Sequence, residues 1–142
     1  MAFSATLPAE IRAGLDNLRM AKTVAVVGAS NDRNKFGNKA LRAYRAEGHT
    51  VIPINPNESE VEGLKTYGSV LDVPGPIDMA TVYVQPEIAM RLLDEFEQKG
   101  IPEVWINPGA ETDEMMDAAR KRKTKVIFAC SILGVGRSPR EF

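Results

Sequence analysis

Hydrophobic residues along the chain fall into short unbroken runs that alternate with segments of helical spacing. Five of the runs are rich in β-branched residues and lack polar alternation, which is typical of strands buried on both faces of a sheet. Between them, apolar residues recur at the spacing of amphipathic helices. The strands predicted from this pattern are 23–27, 50–54, 79–84, 103–106 and 125–129.

The same pattern predicts a helix after most strands, and the alternation determines the fold class. Strands separated by helices are expected to be parallel and joined by right-handed crossovers. The predicted fold class is therefore α/β, with a Rossmann-like doubly wound parallel sheet of about five strands and flanking helices. A short helix is also predicted around 69–72. Four amphipathic helices are predicted, the first of them N-terminal to the first strand and the third over 86–99. Their apolar residues are, in chain order, Leu7, Ile11, Leu15 and Leu18; Phe36, Ala40, Leu41 and Tyr44, before Gly48; Ile88, Leu92 and Phe96; and Met115, Met116 and Ala119.

Length, charge and cysteine content narrow the class of protein. The chain has 142 residues, which predicts one domain over 1–142 with its core at about 6–137. The single Cys130 and single His49 favour neither a disulfide nor a dedicated zinc site. The formal net charge of −1 argues against a nucleic-acid-coating surface. No apolar segment has the length of a membrane span or the form of a signal peptide, so a cytoplasmic protein is expected.

The turn after the first strand carries the clearest chemical signal. In open α/β sheets, ligands bind beyond the carboxyl ends of the strands, and here that end is Gly28, Ala29 and Ser30. Small residues before a helix N-terminus allow a phosphate to approach backbone N–H groups. Arg33 and Lys35 lie in the same loop and can reach phosphates. A nucleotide-phosphate site is predicted, and tight packing at Gly28 is the alternative.

A dinucleotide site is the less favoured hypothesis. Such a site expects G-x-G-x-x-G after the first strand and an acidic residue at the end of the second. Gly28 lacks the second and third glycines, and the second strand ends at Asn55 and Pro56. An NADP-like or variant site remains open.

Four strand-end motifs together resemble a known family. The segments VAVVGAS (24–30), VIPINP (51–56), DMATVYV (78–84) and VWINPGA (104–110) are similar to those of stand-alone CoA-binding domain proteins. These proteins are similar in turn to the N-terminal domain of the succinyl-CoA synthetase α subunit. The resemblance runs from about 23 to 130 and implies a ligand, coenzyme A or an acyl-CoA.

The resemblance also implies a role for each strand end. Gly28, Ala29 and Ser30 would hold the CoA pyrophosphate, and Arg33 or Lys35 would meet its phosphates, including the one on the ribose. Asn55 and Pro56 would border the nucleotide. Val84, Gln85 and Pro86 would line the path of the pantetheine arm, and Asn107, Pro108 and Gly109 would form the next wall.

No catalytic residue is predicted. The synthetase needs a further domain with a phosphorylated histidine and a second subunit, whereas His49 lies at the amino edge of the sheet, away from the ligand side. A CoA-binding module without its own catalytic apparatus is therefore expected, with a possible homo-oligomer and no nucleic-acid or membrane partner. The alternatives are an NAD(P)-binding oxidoreductase-type domain, a redox or metabolite sensor, and a ligase subunit completed by a partner chain.

Several remaining residues are expected to be structural. Cys130 is interpreted as a small buried residue, with a mixed disulfide to CoA as the alternative hypothesis. The basic run 120–125 is expected to complement a helix C-terminus. Glu58, Glu60 and Glu62 are expected to lie in a solvated loop, and Lys39, Arg42 and Arg45 on a solvated helix face.

Overall fold

The computed structural model describes residues 21–108 and 112–142. Its main strands are β1 (Thr23–Val27), β2 (Thr50–Ile54), β5 (Met79–Val82), β6 (Glu103–Ile106) and β7 (Lys125–Phe128), and a small hairpin pairs β3 (Glu60–Val61) with β4 (Leu64–Lys65). The helices are α1 (Phe36–Ala46), α2 (Pro86–Lys99), α3 (Asp113–Arg120) and α4 (Ser131–Gly134), with 3-10 turns at Val70–Asp72 and Pro139–Glu141.

The five main strands form one parallel sheet in the order β2-β1-β5-β6-β7. This confirms the predicted α/β class and its Rossmann-like, doubly wound parallel sheet. The chain leaves β1 in one direction to form β2 and then crosses to β5 on the other side. The strand order therefore reverses between β1 and β5, which is where open sheets of this type bind their ligands.

The core has two layers because alternate residues of each strand point to opposite faces. Val24 and Val26 of β1 pack on the α1 face, together with Leu41 and Tyr44 of that helix. The opposite face of the sheet is covered by α2 and α3. Its buried residues include Ala25, Val27, Leu93, Phe96, Val104, Ile106 and Met115.

The predicted face of α2 was wrong in part. Its buried residues are Ala89, Leu93 and Phe96, whereas Ile88 is 40% exposed. Ile88 lies in the first turn of α2, beside the two cavities at the carboxyl edge of the sheet. There Ile88 borders a cavity instead of the core.

Other boundaries differ from the sequence prediction by one or two residues. β5 ends at Val82 and β7 at Phe128, each shorter than expected. The short helix predicted around 69–72 is a 3-10 turn, and the Ser69 hydroxyl accepts a hydrogen bond from the Leu71 N–H. The sequence did not predict the β3–β4 hairpin. The N-terminal helix predicted from Leu7 to Leu18 lies outside the described residues.

His49 lies at the amino edge of the sheet, as predicted, but it is half-buried and makes a specific contact. Its Nδ1 accepts a hydrogen bond from the Lys22 backbone N–H at 3.0 Å, which requires that nitrogen to carry no proton. Burial and the nearby Lys22 charge lower the pKa of His49. Its role in the fold is therefore to join the start of β1 to the start of β2.

None of the helices in the part of the chain that the structure describes combines the length and the hydropathy that a membrane span requires.

Candidate functional site

Two glycines determine the path of the loop that follows β1. Gly28 has φ +86°, and a Cβ there would lie 2.6 Å from the Tyr83 carbonyl oxygen. A Cβ on Gly37 would overlap the carbonyl oxygen of Gly28. The loop therefore packs directly on the β5 strand end and on the first turn of α1. We call residues 28–37 the phosphate loop, after the phosphate site that the sequence predicts there.

The N-terminus of α1 is left without a side-chain cap. Lys35 occupies the N-cap position but makes no capping hydrogen bond, and the first turn contains no acidic residue. Among the hydrogen bonds of the described residues, none uses the backbone N–H of Phe36 or Gly37 as donor. Free N–H groups and the positive end of the helix dipole together favour an anion at this position.

Two adjoining cavities open at the carboxyl edge of the sheet. The first, the apolar cavity, has a volume of about 270 Å³, and the second, the loop cavity, about 500 Å³. They share Gly28, Val84 and Ile88 as walls. Residues of β2, the 3-10 turn and α2 complete the apolar cavity: Ile54, Asn55, Pro56, Ser69, Val70, Leu92, Glu95 and Phe96 among them.

The loop cavity combines the phosphate loop with the ends of β5 and β6. Lys35, Phe36 and Gly37 form one side of it, so the uncapped start of α1 faces this space. Its other side contains Tyr83, Val84, Gln85, Asn107 and Pro108. The cavity therefore offers a cation and backbone donors at one end and a largely neutral wall at the other.

The Asn55 side chain connects the end of β2 to the phosphate loop. Its Nδ2 donates to the Ala29 carbonyl oxygen at 2.8 Å, and its Oδ1 accepts from the Asn57 N–H at 2.8 Å. Both ends of the amide are thus engaged within the protein. Asn55 supports the phosphate loop and contributes to the wall of the apolar cavity.

A buried polar network supports the far wall of the loop cavity. The Asn107 Nδ2 donates to Thr81 Oγ1 at 2.7 Å and to the Val82 carbonyl oxygen at 3.1 Å. Its Oδ1 accepts from the Ser131 N–H at 2.8 Å. The Ser131 hydroxyl also lies 2.6 Å from Thr81 Oγ1 and 3.0 Å from the Tyr83 hydroxyl.

Burial raises the pKa of Tyr83, so this hydroxyl stays neutral and acts as a hydrogen-bonding group. The network joins β5, β6 and α4 behind the cavity.

The β3–β4 hairpin packs against the outer side of the phosphate loop. The Asn31 Nδ2 donates to the Glu60 carbonyl oxygen at 2.9 Å, and its Oδ1 accepts from the Glu62 N–H at 3.0 Å. Arg33 forms an ion pair with Glu62 at 2.6 Å. Glu62 is thus not the solvated loop residue that the sequence predicted, because its side chain folds back onto the phosphate loop.

The structure brings together only part of the predicted set. Gly28, Lys35, Val84, Gln85, Asn107 and Pro108 line the loop cavity, and Asn55 and Pro56 line the apolar cavity. Ala29, Ser30 and Arg33 line neither cavity, although they belong to the phosphate loop. Pro86 begins α2 and borders a separate depression beside Thr112. Gly109 lies outside the described residues.

Sequence reasoning missed the residues that close the apolar cavity. Ser69, Val70, Leu92 and Glu95 lie outside the four strand-end motifs, in the 3-10 turn and its N-cap and in the middle of α2. The Ser69 hydroxyl bonds to the Glu95 carboxylate, which links the 3-10 turn to α2. The sequence offered one signal for this cavity: Ile88 is an apolar residue that lies next to the buried face of α2.

Two further sequence expectations can be placed in the structure. Cys130 is half-buried between β7 and α4 and lines neither cavity. Its mixed disulfide with CoA stays a hypothesis. Over residues 21–108 and 112–142, no group of three or more His, Cys, Asp or Glu side chains is arranged to hold a metal ion.

Comparison with known proteins identifies the family. Residues 22–135 match the family model described as a CoA binding domain. The chain therefore belongs to the CoA-binding domain family. It is homologous to the α subunits of acyl-CoA ligases.

Individual relatives show both stand-alone domains and larger enzymes. The chain is 33% identical over 116 residues to the α subunit of the ADP-forming acetate–CoA ligase II of Pyrococcus furiosus. That match covers 81% of this chain and 25% of the subunit, so the chain spans about a quarter of that relative's length.

Among solved structures, a conserved hypothetical protein of Pyrococcus furiosus is 33% identical with a TM-score of 0.74. That match covers 81% of this chain and 99% of the other. An acetyl-coenzyme A synthetase of Candidatus Korarchaeum cryptofilum, in complex with phosphate and ADP, is 30% identical with a TM-score of 0.69. The alignment covers 81% of this chain and 27% of that enzyme.

Proposed function

We propose that this protein binds coenzyme A or an acyl-CoA through the phosphate loop and contributes no catalytic group of its own. The observation that carries the proposal is the uncapped start of α1, which faces the loop cavity across Gly28. Free N–H groups, the helix dipole and the Lys35 ammonium suit a pyrophosphate there. Membership of the CoA-binding domain family supports the choice of ligand.

The two cavities suggest which part of CoA each of them would hold. The nucleotide base would enter the apolar cavity beside Asn55 and Pro56, where aliphatic side chains offer a dry surface for a flat ring. The pyrophosphate would lie at Gly28 and the start of α1. The pantetheine arm would follow Val84 and Gln85 towards Asn107 and Pro108. A Cβ at Gly28 or Gly37 would meet the backbone of the protein itself, so tight packing accounts for these two glycines, and they support the site only by setting the path of the phosphate loop.

The position of Asn55 makes NAD the weaker candidate. A dinucleotide site needs a carboxylate at the end of the second strand to bind the ribose hydroxyls. Here that position holds a neutral amide, which already donates to the Ala29 carbonyl oxygen and accepts from the Asn57 N–H, and which lacks the negative charge of that carboxylate.

A second candidate function is a ligase subunit completed by a partner chain. It is favoured by the similarity to a protein named as an α subunit of an acetate–CoA ligase. In that case acyl-CoA formation would appear only when this chain is mixed with a second protein.

Substitution of Ile88 tests the proposed site without disturbing the core. Ile88 borders both cavities and is 40% exposed, so Ile88→Glu should change the free energy of unfolding by no more than about 0.5 kcal/mol. A carboxylate in the shared wall repels the anionic ligand and occupies its path. We expect CoA affinity in calorimetry to fall at least about tenfold, which corresponds to about 1.4 kcal/mol.

The matched control is Leu133→Glu, which makes the same change at a 62% exposed residue of α4 that lines neither cavity. This variant should bind CoA as the wild type does. Equal CoA affinity of Ile88→Glu and Leu133→Glu would contradict the proposed site.

A further inference from the structure

Arg33, one of the cations predicted to bind a phosphate, forms an ion pair with the Glu62 carboxylate in this structure. The Arg33 Nη2 lies 2.6 Å from Glu62 Oε1, and its Nε lies 3.4 Å from Oε2. The Arg33 side chain is 66% exposed, whereas that of Glu62 is only 14% exposed. The acid is therefore held in place by the protein, and the arginine reaches out to it from the phosphate loop.

Several contacts hold Glu62 in this position. Its N–H donates to Asn31 Oδ1 at 3.0 Å, and its Oε2 accepts from Asn38 Nδ2 at 3.3 Å. Its φ is +49°, the only non-glycine residue with positive φ among those described. Glu62 and Gly63, whose φ is +78°, form the two-residue turn of the β3–β4 hairpin, and a type I′ hairpin turn has positive φ at both of its central residues. The hairpin thus holds the Glu62 carboxylate in a fixed position beside the long, flexible side chain of Arg33.

The location of the pair is appropriate for the ribose end of the ligand. Asn57 lines the apolar cavity, and the hairpin that carries Glu62 begins three residues later. Arg33 is in the phosphate loop, which carries the ligand's other phosphates in the proposed mode. Arg33 lines neither cavity, so it would meet a phosphate that projects out of them. In the proposed mode the 3′-phosphate on the ribose is the phosphate that would project in this way.

We propose that Glu62 competes with the 3′-phosphate of CoA for Arg33 and so sets how strongly the site favours CoA over ligands lacking that phosphate. The inference rests on the proposed function. Before the ligand binds, the guanidinium pairs with the carboxylate; when the phosphate arrives, the guanidinium must exchange one anion for another. The competing pair lowers the affinity gained from the phosphate and leaves the binding of the pantetheine arm unchanged.

The chain offers a close control for the charge change. Glu62→Gln keeps the size of the side chain and an acceptor for Asn38, but it removes the charge that holds Arg33. Glu60→Gln removes the same charge from the same hairpin. For Glu60, only the backbone carbonyl contacts the phosphate loop in the hydrogen bonds of the described residues. Any general effect of a lost negative charge will appear in both variants, whereas release of Arg33 will appear only in Glu62→Gln.

The test is calorimetric titration of the full chain with CoA and with 3′-dephospho-CoA. Exposed ion pairs contribute little, so we expect Glu62→Gln to bind CoA about two- to fivefold more tightly than the wild type. Its affinity for 3′-dephospho-CoA should equal that of the wild type, as should both affinities of Glu60→Gln. In an Arg33→Gln background, the effect of Glu62→Gln on CoA should disappear.

Four outcomes overturn the inference. Weaker binding of both ligands by Glu62→Gln would show that Glu62 only shapes the loop. Unchanged binding of CoA, or equal tightening for both ligands, would show that it does not compete with the 3′-phosphate. If the wild type itself binds neither ligand, the proposed function falls, and the competition falls with it.

Discussion

Replacement of Gly28 by alanine is expected to cost about 2–4 kcal/mol of stability and to abolish measurable CoA binding. Two physical effects combine at this residue. Its φ of +86° disfavours any side chain, and the new Cβ would lie 2.6 Å from the Tyr83 carbonyl oxygen. Since the obstacle is backbone, relief requires the phosphate loop to move away from β5. Urea unfolding gives the stability loss, and calorimetry gives the binding loss.

Gly48→Ala is the control that separates the two effects. Gly48 has nearly the same φ, +88°, but a Cβ there would meet nothing within 4 Å. It should therefore show only the conformational cost, about 1 kcal/mol, and should bind CoA normally. Similar stability and similar CoA affinity of the two variants would contradict the close packing of the phosphate loop on β5.

Replacement of Asn107 by alanine is the second change with a large expected effect. The Asn107 side chain is almost fully buried and bonds to Thr81, to the Val82 carbonyl and to the Ser131 N–H. Its loss leaves a buried N–H at the start of α4 without an acceptor and opens a small cavity. We expect a stability loss of about 2–4 kcal/mol in urea unfolding and weaker CoA binding, because the far wall of the loop cavity loses its support.

Gln98→Ala provides the comparison, since it removes an amide from an exposed position of α2 that lines neither cavity. Its stability should stay within about 0.5 kcal/mol of the wild type, with unchanged CoA affinity. A loss below about 0.5 kcal/mol in Asn107→Ala would show that water readily replaces the amide, contrary to the network described.

The features that the sequence predicts well are those encoded locally. Runs such as Thr23–Val27 are apolar without alternation, and α2 has helical spacing with Pro86 at its start and Gly100 at its end. Parallel order follows because helices separate the strands. The strand-end residues Gly28, Asn55 and Asn107 also reach the same edge of the sheet as expected, since the carboxyl ends of parallel strands meet there.

The features that the sequence does not predict depend on contacts between distant segments. Strands β3 and β4 have two residues each, too short for any periodicity, and Glu62 meets Arg33 across 29 positions. The apolar cavity is closed by Ser69 and Glu95, whose approach depends on how the 3-10 turn packs on α2. The spacing of Ile88 predicts a core residue, whereas its exposure depends on the cavities that open beside the first turn of α2.

Calorimetric titration of the wild-type chain with CoA, 3′-dephospho-CoA, NAD and NADP decides whether the protein is a CoA-binding module. We expect CoA to bind at one site per chain and loss of the 3′-phosphate to weaken binding about two- to fivefold, because Arg33 is exposed and an exposed ion pair contributes at most about 1 kcal/mol. NAD and NADP should give no measurable heat at the same concentrations. Binding of NAD or NADP without binding of CoA would show that CoA is not the ligand of this site and would point to a redox function on the same fold.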